Sequence, residues 1–343
     1  MGEFEFLARL RERLPEDGLK VKLGSGDDAA VTVPGGATAT SVDALVDGIH
    51  FRRGETDPAT IGRKALATAL SDLAAMGAEA GEAYVALGVP EDLGEAELLD
   101  LLDGMLGLAA ATGTTLAGGD LSRSPALTLA VTVVGHAPGP DELVSRRGAR
   151  PGDLVVLTGE IGGAGAGRLL LDDPALAIAV PAPLAAELRK RQLDPLPRLE
   201  SGRALAAAGA RAMIDLSDGL ASDAGHVAAA SGVALHVEAA TLPLAPGVAD
   251  VAAAAGLDPL RLAVSGGEDY ELLATLPPDA LEDAAARVGA AGEASLTAIG
   301  EIAAGEGVEI RLPGGGQLEA AGYDHFAEPS RGSRSEARER RGG

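Results

Sequence analysis

The stretch ALSDLAAMGAEAGEAYVALGVP, residues 69–90, decides the fold, because it leads from an apolar helix through a glycine into a strand. Apolar residues recur at helical spacing before it and predict a helix over residues 58–80. After it, a second helix is predicted from Glu95 to about Thr112, and LAGGD and LTLAVTVVGHA predict two further strands. Such alternation is typical of an α/β domain.

A stretch rich in proline, glycine and arginine, SRRGARPGD (145–153), interrupts this alternation and indicates a domain boundary. The chain has 343 residues, more than one hydrophobic core usually fills. We therefore predict an N-terminal domain over 1–148 and a C-terminal α/β domain over 149–326, in which prolines mark residues 181–197 as a connection. Residues 327–343 have no apolar periodicity, which predicts a disordered tail.

Composition excludes several classes of protein. The formal net charge of −23 is opposite in sign to what a nucleic-acid binder needs, and most of this charge is expected on a solvated surface. No apolar run approaches the roughly 18 residues of a membrane helix. The chain has no cysteine, so disulfides and thiolate sites are absent and a cytoplasmic location is expected.

Common nucleotide motifs fail on inspection. The chain has four lysines and no G-x-x-x-x-G-K-[ST], which excludes a P-loop. GSGDDA (24–29) has the glycine spacing of a dinucleotide fingerprint, but a strand follows it where the fingerprint requires a helix. GGAGAG (162–167) precedes a helix without that spacing and is either a packing turn or a backbone phosphate contact.

Aspartates set among apolar residues and glycines are the candidate functional groups. Each has an ordinary explanation, as a turn former or as a helix cap. Several lie where strands end, which is where open α/β sheets bind ligands, and Asp43 is expected to close the strand TATSV. The candidates are Asp27, Asp28, Asp43, Asp72, Asp120, Asp215, Asp218, Glu268 and Asp269.

If these carboxylates converge, they need a cation. Two carboxylates about 4 Å apart repel each other by about 4 kcal/mol at an effective dielectric constant of 20. Mg²⁺ suits such a site because it shares a few carboxylates with substrate phosphates, although the residues alone leave Ca²⁺ open. A lysine-poor, cysteine-free site of carboxylates predicts phosphoryl transfer.

At these same residues the sequence resembles the thiamine-monophosphate kinase family, in the superfamily of aminoimidazole ribonucleotide synthetase. The matching segments occur in the family's order and cover roughly residues 1–326. They are GSGDDAAV, SVDALVDGIHF, ALSDLAAMGA, AGGDLSRSP, SRRGARPGD, MIDLSDGLASDAGH, VSGGEDYEL and GYDHF. The resemblance implies a two-domain α/β fold with mixed sheets, and a homodimer joined through the N-terminal sheets.

The resemblance also implies direct phosphoryl transfer from ATP to thiamine monophosphate, without a phospho-enzyme and with no general base assigned. Matched by motif, the residues around several Mg²⁺ ions would be Asp28, Ser41, Val42, Asp43, Asp72, Asp120, Asp215 and Asp218. Those contacting ATP would be Gly119, Asp120, Arg146 and Ser217. Those holding thiamine monophosphate would be His50, Glu268 and Tyr323.

Two positions depart from the family pattern. Val42 replaces a common threonine, which matters only if a hydroxyl rather than a backbone carbonyl is the ligand, and Tyr323 replaces a larger aromatic residue. Aminoimidazole ribonucleotide synthetase is the alternative enzyme, whereas superfamily chemistries that depend on cysteine are disfavoured. Two further alternatives are not enzymes. One is a catalytically silent nucleotide- or metal-binding module, and the other is an acidic protein whose aspartates only cap helices and form turns.

Overall fold

The structure is a computed structural model, and it describes residues 12–14, 20–24 and 29–318. Asp27, Asp28, Tyr323 and the predicted tail over 327–343 lie outside the described residues. The predictions made for them therefore stay predictions.

The N-terminal half is built on a four-stranded sheet with the order β3-β6-β4-β5. Only the β4–β5 pair is parallel. Two helices, α1 and α2, pack on each other and on one face of this sheet. The elements are β1 (Val21–Leu23), β2 (Val31–Thr32), β3 (Ala37–Val46), α1 (Pro58–Ala75), β4 (Glu79–Val89), α2 (Glu95–Thr112), β5 (Thr115–Arg123) and β6 (Thr128–Ala137).

The two faces of this sheet differ. Val131 and Val85 are buried under the helices, and the alternation of side chains places their neighbours on the opposite face. Val42 lies on that outer face and is 64% exposed. Asp43 is next in sequence and therefore lies on the inner side, at the edge of the sheet.

The C-terminal half is built on a six-stranded mixed sheet with the order β12-β9-β11-β7-β10-β8. Its helices pack around the sheet and enclose two further hydrophobic clusters. The elements are β7 (Leu154–Thr158), α3 (Gly163–Asp172), α4 (Ala182–Leu193), α5 (Leu199–Ala207), β8 (Ala212–Asp215), α6 (Leu220–Ser231), β9 (Ala234–Glu238), α7 (Val248–Ala254), α8 (Pro259–Ser265), β10 (Leu272–Leu276), α9 (Leu281–Ala291), β11 (Leu296–Ala303) and β12 (Gly307–Arg311).

The mixed α/β fold is confirmed, and three local predictions were wrong. Residues 181–197 were predicted as a connection, but α4 occupies most of them, because prolines at the first positions of a helix do not interrupt it. Asp43 does not close its strand, since β3 continues to Val46. The helix predicted over 58–80 ends at Ala75, where Gly77 adopts a φ of +67°.

Candidate active site

A cavity of about 660 Å³ lies between the two halves of the chain. The N-terminal half contributes β3, the following turn and α1, and the C-terminal half contributes the β8–α6 junction, α3, α8 and the loop before β10. Seven of the predicted site residues line this cavity, namely Asp43, His50, Asp72, Asp215, Ser217, Asp218 and Glu268. Residues distant in sequence therefore meet in space at this cavity.

Two successive residues of α1 join the acidic groups of both halves. The Ser71 hydroxyl donates to Asp215 Oδ2 at the end of β8, at 2.6 Å. Asp72, the next residue, accepts a hydrogen bond from the Ser41 hydroxyl of β3. The helix therefore places the carboxyl groups of Asp72 and Asp215 at one wall of the cavity.

The positive charge around Asp72 and Asp215 is too small to balance the negative charge of their carboxylates. Burial, together with the negative charge of Asp72, raises the pKa of Asp215 to about 7. Burial is also the main cause that raises the pKa of Asp72, and the charge of Asp43 raises it further. Arg146 is the nearby cation that lowers both pKa values, and its effect is the smaller one. Arg146 therefore does not balance the negative charge of this site.

The junction between β8 and α6 forms a second acidic group. One ligand atom each of Asp218, Asp223 and His226 lies within 4.8 Å of the others. Asp223 is buried and accepts from the Asp218 backbone N–H at 3.2 Å. Burial, then the charges of Asp215 and Asp218, raise the pKa of Asp223 to about 8. The turn needs Gly219, whose φ of +104° is open to glycine alone.

The loop that carries Glu268 is held in a strained conformation. Glu268 and Tyr270 adopt φ angles of +68° and +50°, which side chains with a Cβ rarely occupy. The Glu268 and Tyr270 backbone N–H groups donate to the carbonyls of Ser217 and Leu216, at 2.8 and 3.0 Å. Residues held in this region cluster at functional sites, at a cost of about 1–3 kcal/mol each. The loop therefore has a fixed shape beside the cavity.

His50 follows the turn after β3. Its Nδ1 accepts a hydrogen bond from the Val46 backbone N–H at 3.1 Å. A neutral ring then carries its proton on Nε2. This contact fixes both the tautomer and the direction of a side chain that lines the cavity.

The glycine-rich turn over 162–167 has its backbone donors engaged inside the chain. The Asp269 carboxylate accepts from the backbone N–H groups of Gly162 and Ala164, at 2.7 and 3.0 Å, where α3 begins. Burial raises the pKa of Asp269 to about 7, although these two hydrogen bonds lower it. The internal carboxylate occupies a helix N-terminus that could otherwise bind phosphate, which favours the packing-turn interpretation.

Other predicted residues lie away from the cavity wall. Ser41 stands behind Asp72, and Arg146 acts on Asp72 and Asp215 through its charge. Val42 and Asp120 are exposed, and Asp120 accepts from the Ser122 hydroxyl at 2.9 Å. Gly119 neighbours Asp120 on β5, at the far edge of the sheet from β3. Asp28 and Tyr323 lie outside the described residues.

Sequence reasoning missed four residues of this region. Ser71 and Asp223 lie inside segments that the resemblance quotes, so their position next to Asp72 and near Asp218 was an available signal. Lys64 is one of only four lysines and stands among apolar residues of a helix, which is unusual for a surface charge. Gln192 gave no signal, because residues 181–197 were not expected to form a helix.

The donor atoms suit a hard divalent cation. Asp43, Asp72, Asp215 and Asp218 offer carboxylate oxygens and Ser41 offers a hydroxyl, the ligand types that Mg²⁺ prefers. Within the described residues, Asp43, Asp72 and Asp215 form no close triplet like that of Asp218, Asp223 and His226. An open arrangement of this kind leaves coordination positions for phosphate oxygens.

No helix within the described part of the chain is long and apolar enough to cross a membrane.

Two family models together match most of the chain. Residues 26–137 match the AIR synthase related protein N-terminal domain, and residues 150–313 match the corresponding C-terminal domain. The thiamine-monophosphate kinase of Escherichia coli K12 is 40% identical over 96% of this chain and 99% of its own length.

Solved structures extend the likeness to the fold. The thiamine-monophosphate kinase of Stenotrophomonas maltophilia K279a matches with a TM-score of 0.78 and 37% identity, over 90% of this chain and 96% of that one. AaThiL complexed with AMPPCP and TMP matches with a TM-score of 0.74 and 28% identity, over 95% and 97%. The chain belongs to the thiamine-monophosphate kinase family, within the AIR synthase related proteins.

Proposed function

We propose that this protein transfers the γ-phosphoryl group of ATP to thiamine monophosphate, giving thiamine diphosphate and ADP. The observation that carries the proposal is the convergence of Asp43, Asp72, Asp215 and Asp218 from both halves on one cavity. The family supports the substrates, since its relative AaThiL was solved with AMPPCP, an ATP analogue, and TMP. The acceptor is already a phosphate, so the proposal assigns no general base.

The four cavity aspartates would hold Mg²⁺, with Ser41 and the predicted Asp28 beside them. Bound Mg²⁺ neutralises phosphate charge and aligns the transferring group with its acceptor. The protein residues orient these oxygens, since Ser71 fixes the Asp215 carboxyl and Ser41 fixes that of Asp72. Arg146 and Ser217, with Gly119 and Asp120, would contact ATP, and His50, Glu268 and Tyr323 would hold thiamine monophosphate.

The position of Asp120 argues for a homodimer. In the sheet, Asp120 stands in register with Ala86, Ala130 and Ala44, so it lies three strands from β3, about 14 Å away. It also points to the outer face, whereas Asp43 points to the inner side. One copy cannot bring Asp120 and Asp43 to the same ion. A second copy, docked on the outer face that exposes Val42, would supply its own Asp120 to the site.

A complementation experiment tests this sharing. Asp43→Asn and Asp120→Asn should each be inactive alone. After the two are mixed, unfolded and refolded together, half of the dimers are mixed and each has one intact site of two. We therefore expect about a quarter of wild-type turnover if sites are shared. Activity that stays at the level of the separate variants would overturn the sharing.

The reaction itself is tested with purified protein, ATP, Mg²⁺ and thiamine monophosphate. Thiamine diphosphate and ADP should form in equal amounts, and Asp43→Asn should abolish most of the turnover while changing thermal stability little. A folded wild-type protein that forms no thiamine diphosphate would refute the proposal and favour a binding module. Turnover of formylglycinamidine ribonucleotide instead would favour aminoimidazole ribonucleotide synthetase.

We place the protein in the cytoplasm on its lack of cysteine alone.

A further inference from the structure

Lys64 is a buried cation close to the candidate site. It lies on α1, and only 1% of its surface is exposed. A lysine is almost never buried to this degree unless its charge is paired. Among the described residues that line the cavity, Lys64 does not appear, although His50, Gln192 and Glu268 do. Its ammonium group therefore stands behind the cavity wall.

The ammonium group has a partner for each of its three protons. It pairs with Glu268 Oε1 at 2.9 Å. It donates to the Gln192 backbone carbonyl at 2.9 Å and lies 3.4 Å from the His50 carbonyl. These partners come from three separate segments of the chain, and two of them are the residues assigned above to thiamine monophosphate.

The Glu268 carboxylate is held at both oxygens. Lys64 binds Oε1, and the Gln192 side-chain amide donates to Oε2. The backbone of Glu268 is fixed as well, by its φ of +68° and by its hydrogen bond to Ser217. The side chain is still 27% exposed and lines the cavity. A carboxylate fixed in this way presents its remaining lone pairs in one direction.

We propose that Lys64, assisted by Gln192, is a positioning residue that orients Glu268 and the His50 backbone toward the thiamine end of the substrate. This inference rests on the proposed function, which assigns Glu268 and His50 to thiamine monophosphate. The thiazolium cation and the aminopyrimidine N–H donors of thiamine are the groups that a directed carboxylate recognises. Lys64 acts through Glu268, since it does not itself line the cavity.

A purely structural role is the competing account, because Lys64 also joins the two halves of the chain. Its neighbour Arg63 provides the matched control. Arg63 lies on the same helix and pairs with Asp194, two residues beyond Gln192, and it contacts neither Glu268 nor the cavity. Loss of either basic residue weakens the junction between the halves, but only loss of Lys64 releases Glu268.

The test is a double-mutant cycle on the wild-type background, with KM measured separately for each substrate. Lys64→Met keeps the size and the burial of the side chain and removes its charge. It should raise KM for thiamine monophosphate by about tenfold or more, with KM for ATP changed less than about twofold. Glu268→Gln should act in the same direction. The double variant should match Glu268→Gln alone, because Lys64 then has nothing left to orient.

Several results overturn the proposal. Multiplied effects in the double variant, equal rises in both KM values, or a rise in KM for thiamine monophosphate in Arg63→Met would each assign Lys64 a general structural role. If Lys64→Met fails to fold, Gln192→Leu replaces it, since the backbone carbonyl that accepts from Lys64 remains. That variant should raise KM for thiamine monophosphate in the wild type and leave it unchanged in Glu268→Gln. An inactive wild type would refute the proposed function, which is a separate outcome.

Discussion

Two buried carboxyl groups lie at neighbouring strand ends of the C-terminal sheet and have opposite environments. Glu271, next to β10, is 2% exposed and Asp215, at the end of β8, is 3% exposed. Glu271 accepts two hydrogen bonds from the Arg198 guanidinium, one of them at 2.9 Å, and a third from the Thr158 hydroxyl at 2.7 Å. Asp215 accepts from the Ser71 hydroxyl and faces the negative charge of Asp72. Within the described residues, Asp215 forms no ion pair.

The difference separates a structural charge from a functional one. The Arg198 fork and the Thr158 hydroxyl together satisfy Glu271, so this carboxylate needs no ligand to remain charged. Among the described residues, Asp215 has no such cationic partner: burial and then the charge of Asp72 raise its pKa to about 7, so a bound cation would favour its charged form. Carboxylates with equal burial can therefore be assigned to scaffold or to site by the positive charge around them.

The largest expected effect is on turnover, in Asp215→Asn. Asparagine keeps the size of the side chain and its contact with Ser71 but removes a charge that would hold Mg²⁺. We expect kcat to fall by about a thousandfold, as for loss of a main electrostatic contact to a transition state. The free energy of unfolding without Mg²⁺ should not decrease, because a repulsion with Asp72 is removed. Steady-state kinetics and urea unfolding measure the two quantities, and a stable variant with full turnover would contradict the assignment.

Glu271→Gln should show the reverse pattern. Removing the charge of Glu271 takes from the buried Arg198 its hydrogen-bonded counter-ion, which costs about 3 kcal/mol in the free energy of unfolding. Turnover per folded molecule should change only a few-fold, because Glu271 does not line the cavity. Urea unfolding with activity normalised to the folded fraction checks both. A loss of turnover like that of Asp215→Asn, with stability intact, would remove the distinction between the two regions.

Asp223→Asn should sharpen the comparison through pH. The folded state holds a proton on Asp223 up to about pH 8, whereas an unfolded aspartate releases it near pH 4. Between these values the folded wild type binds the additional proton, so its stability falls as pH rises. Without Mg²⁺, the free energy of unfolding of Asp223→Asn minus that of the wild type should therefore rise by up to about 1.4 kcal/mol per pH unit in this range. Urea unfolding at pH 5.5 and 7.5 tests this, and an unchanged difference between the two proteins would refute it.

The smallest effect is expected from an exposed ion pair. Arg287 and Asp283 lie one turn apart on α9, at 2.6 Å, and both side chains are about half exposed. Because water and salt screen such pairs, Arg287→Ala should change the free energy of unfolding by about 0.5 kcal/mol or less, with turnover unaltered. The same urea titration supplies this baseline for Glu271→Gln. If Arg287→Ala lowered the free energy of unfolding as much as Glu271→Gln does, burial would not determine how much an ion pair contributes to stability.

The sequence predicted the aspartates of the cavity because their signal is local. MIDLSDGL places Asp215 and Asp218 at a strand-to-helix junction, and the resemblance gave their order along the chain. The partners of the two glutamates could not be predicted, since Arg198, which pairs with Glu271, and Lys64 and Gln192, which hold Glu268, come from remote segments. Asp120 shows the same limit. Its motif was recognised, but only the strand order β3-β6-β4-β5 shows that it lies at the far edge of the sheet from Asp43.

The most direct test of a cation-dependent site is thermal unfolding at pH 8 as Mg²⁺ is titrated, with AMPPCP at a fixed concentration. We predict that Tm of the wild type and of Glu271→Gln rises with Mg²⁺, since a ligand that binds only the folded state stabilises it. Tm of the double variant Asp72→Asn, Asp215→Asn should not rise. Equal rises in all three proteins, or no rise in the wild type, would contradict the account.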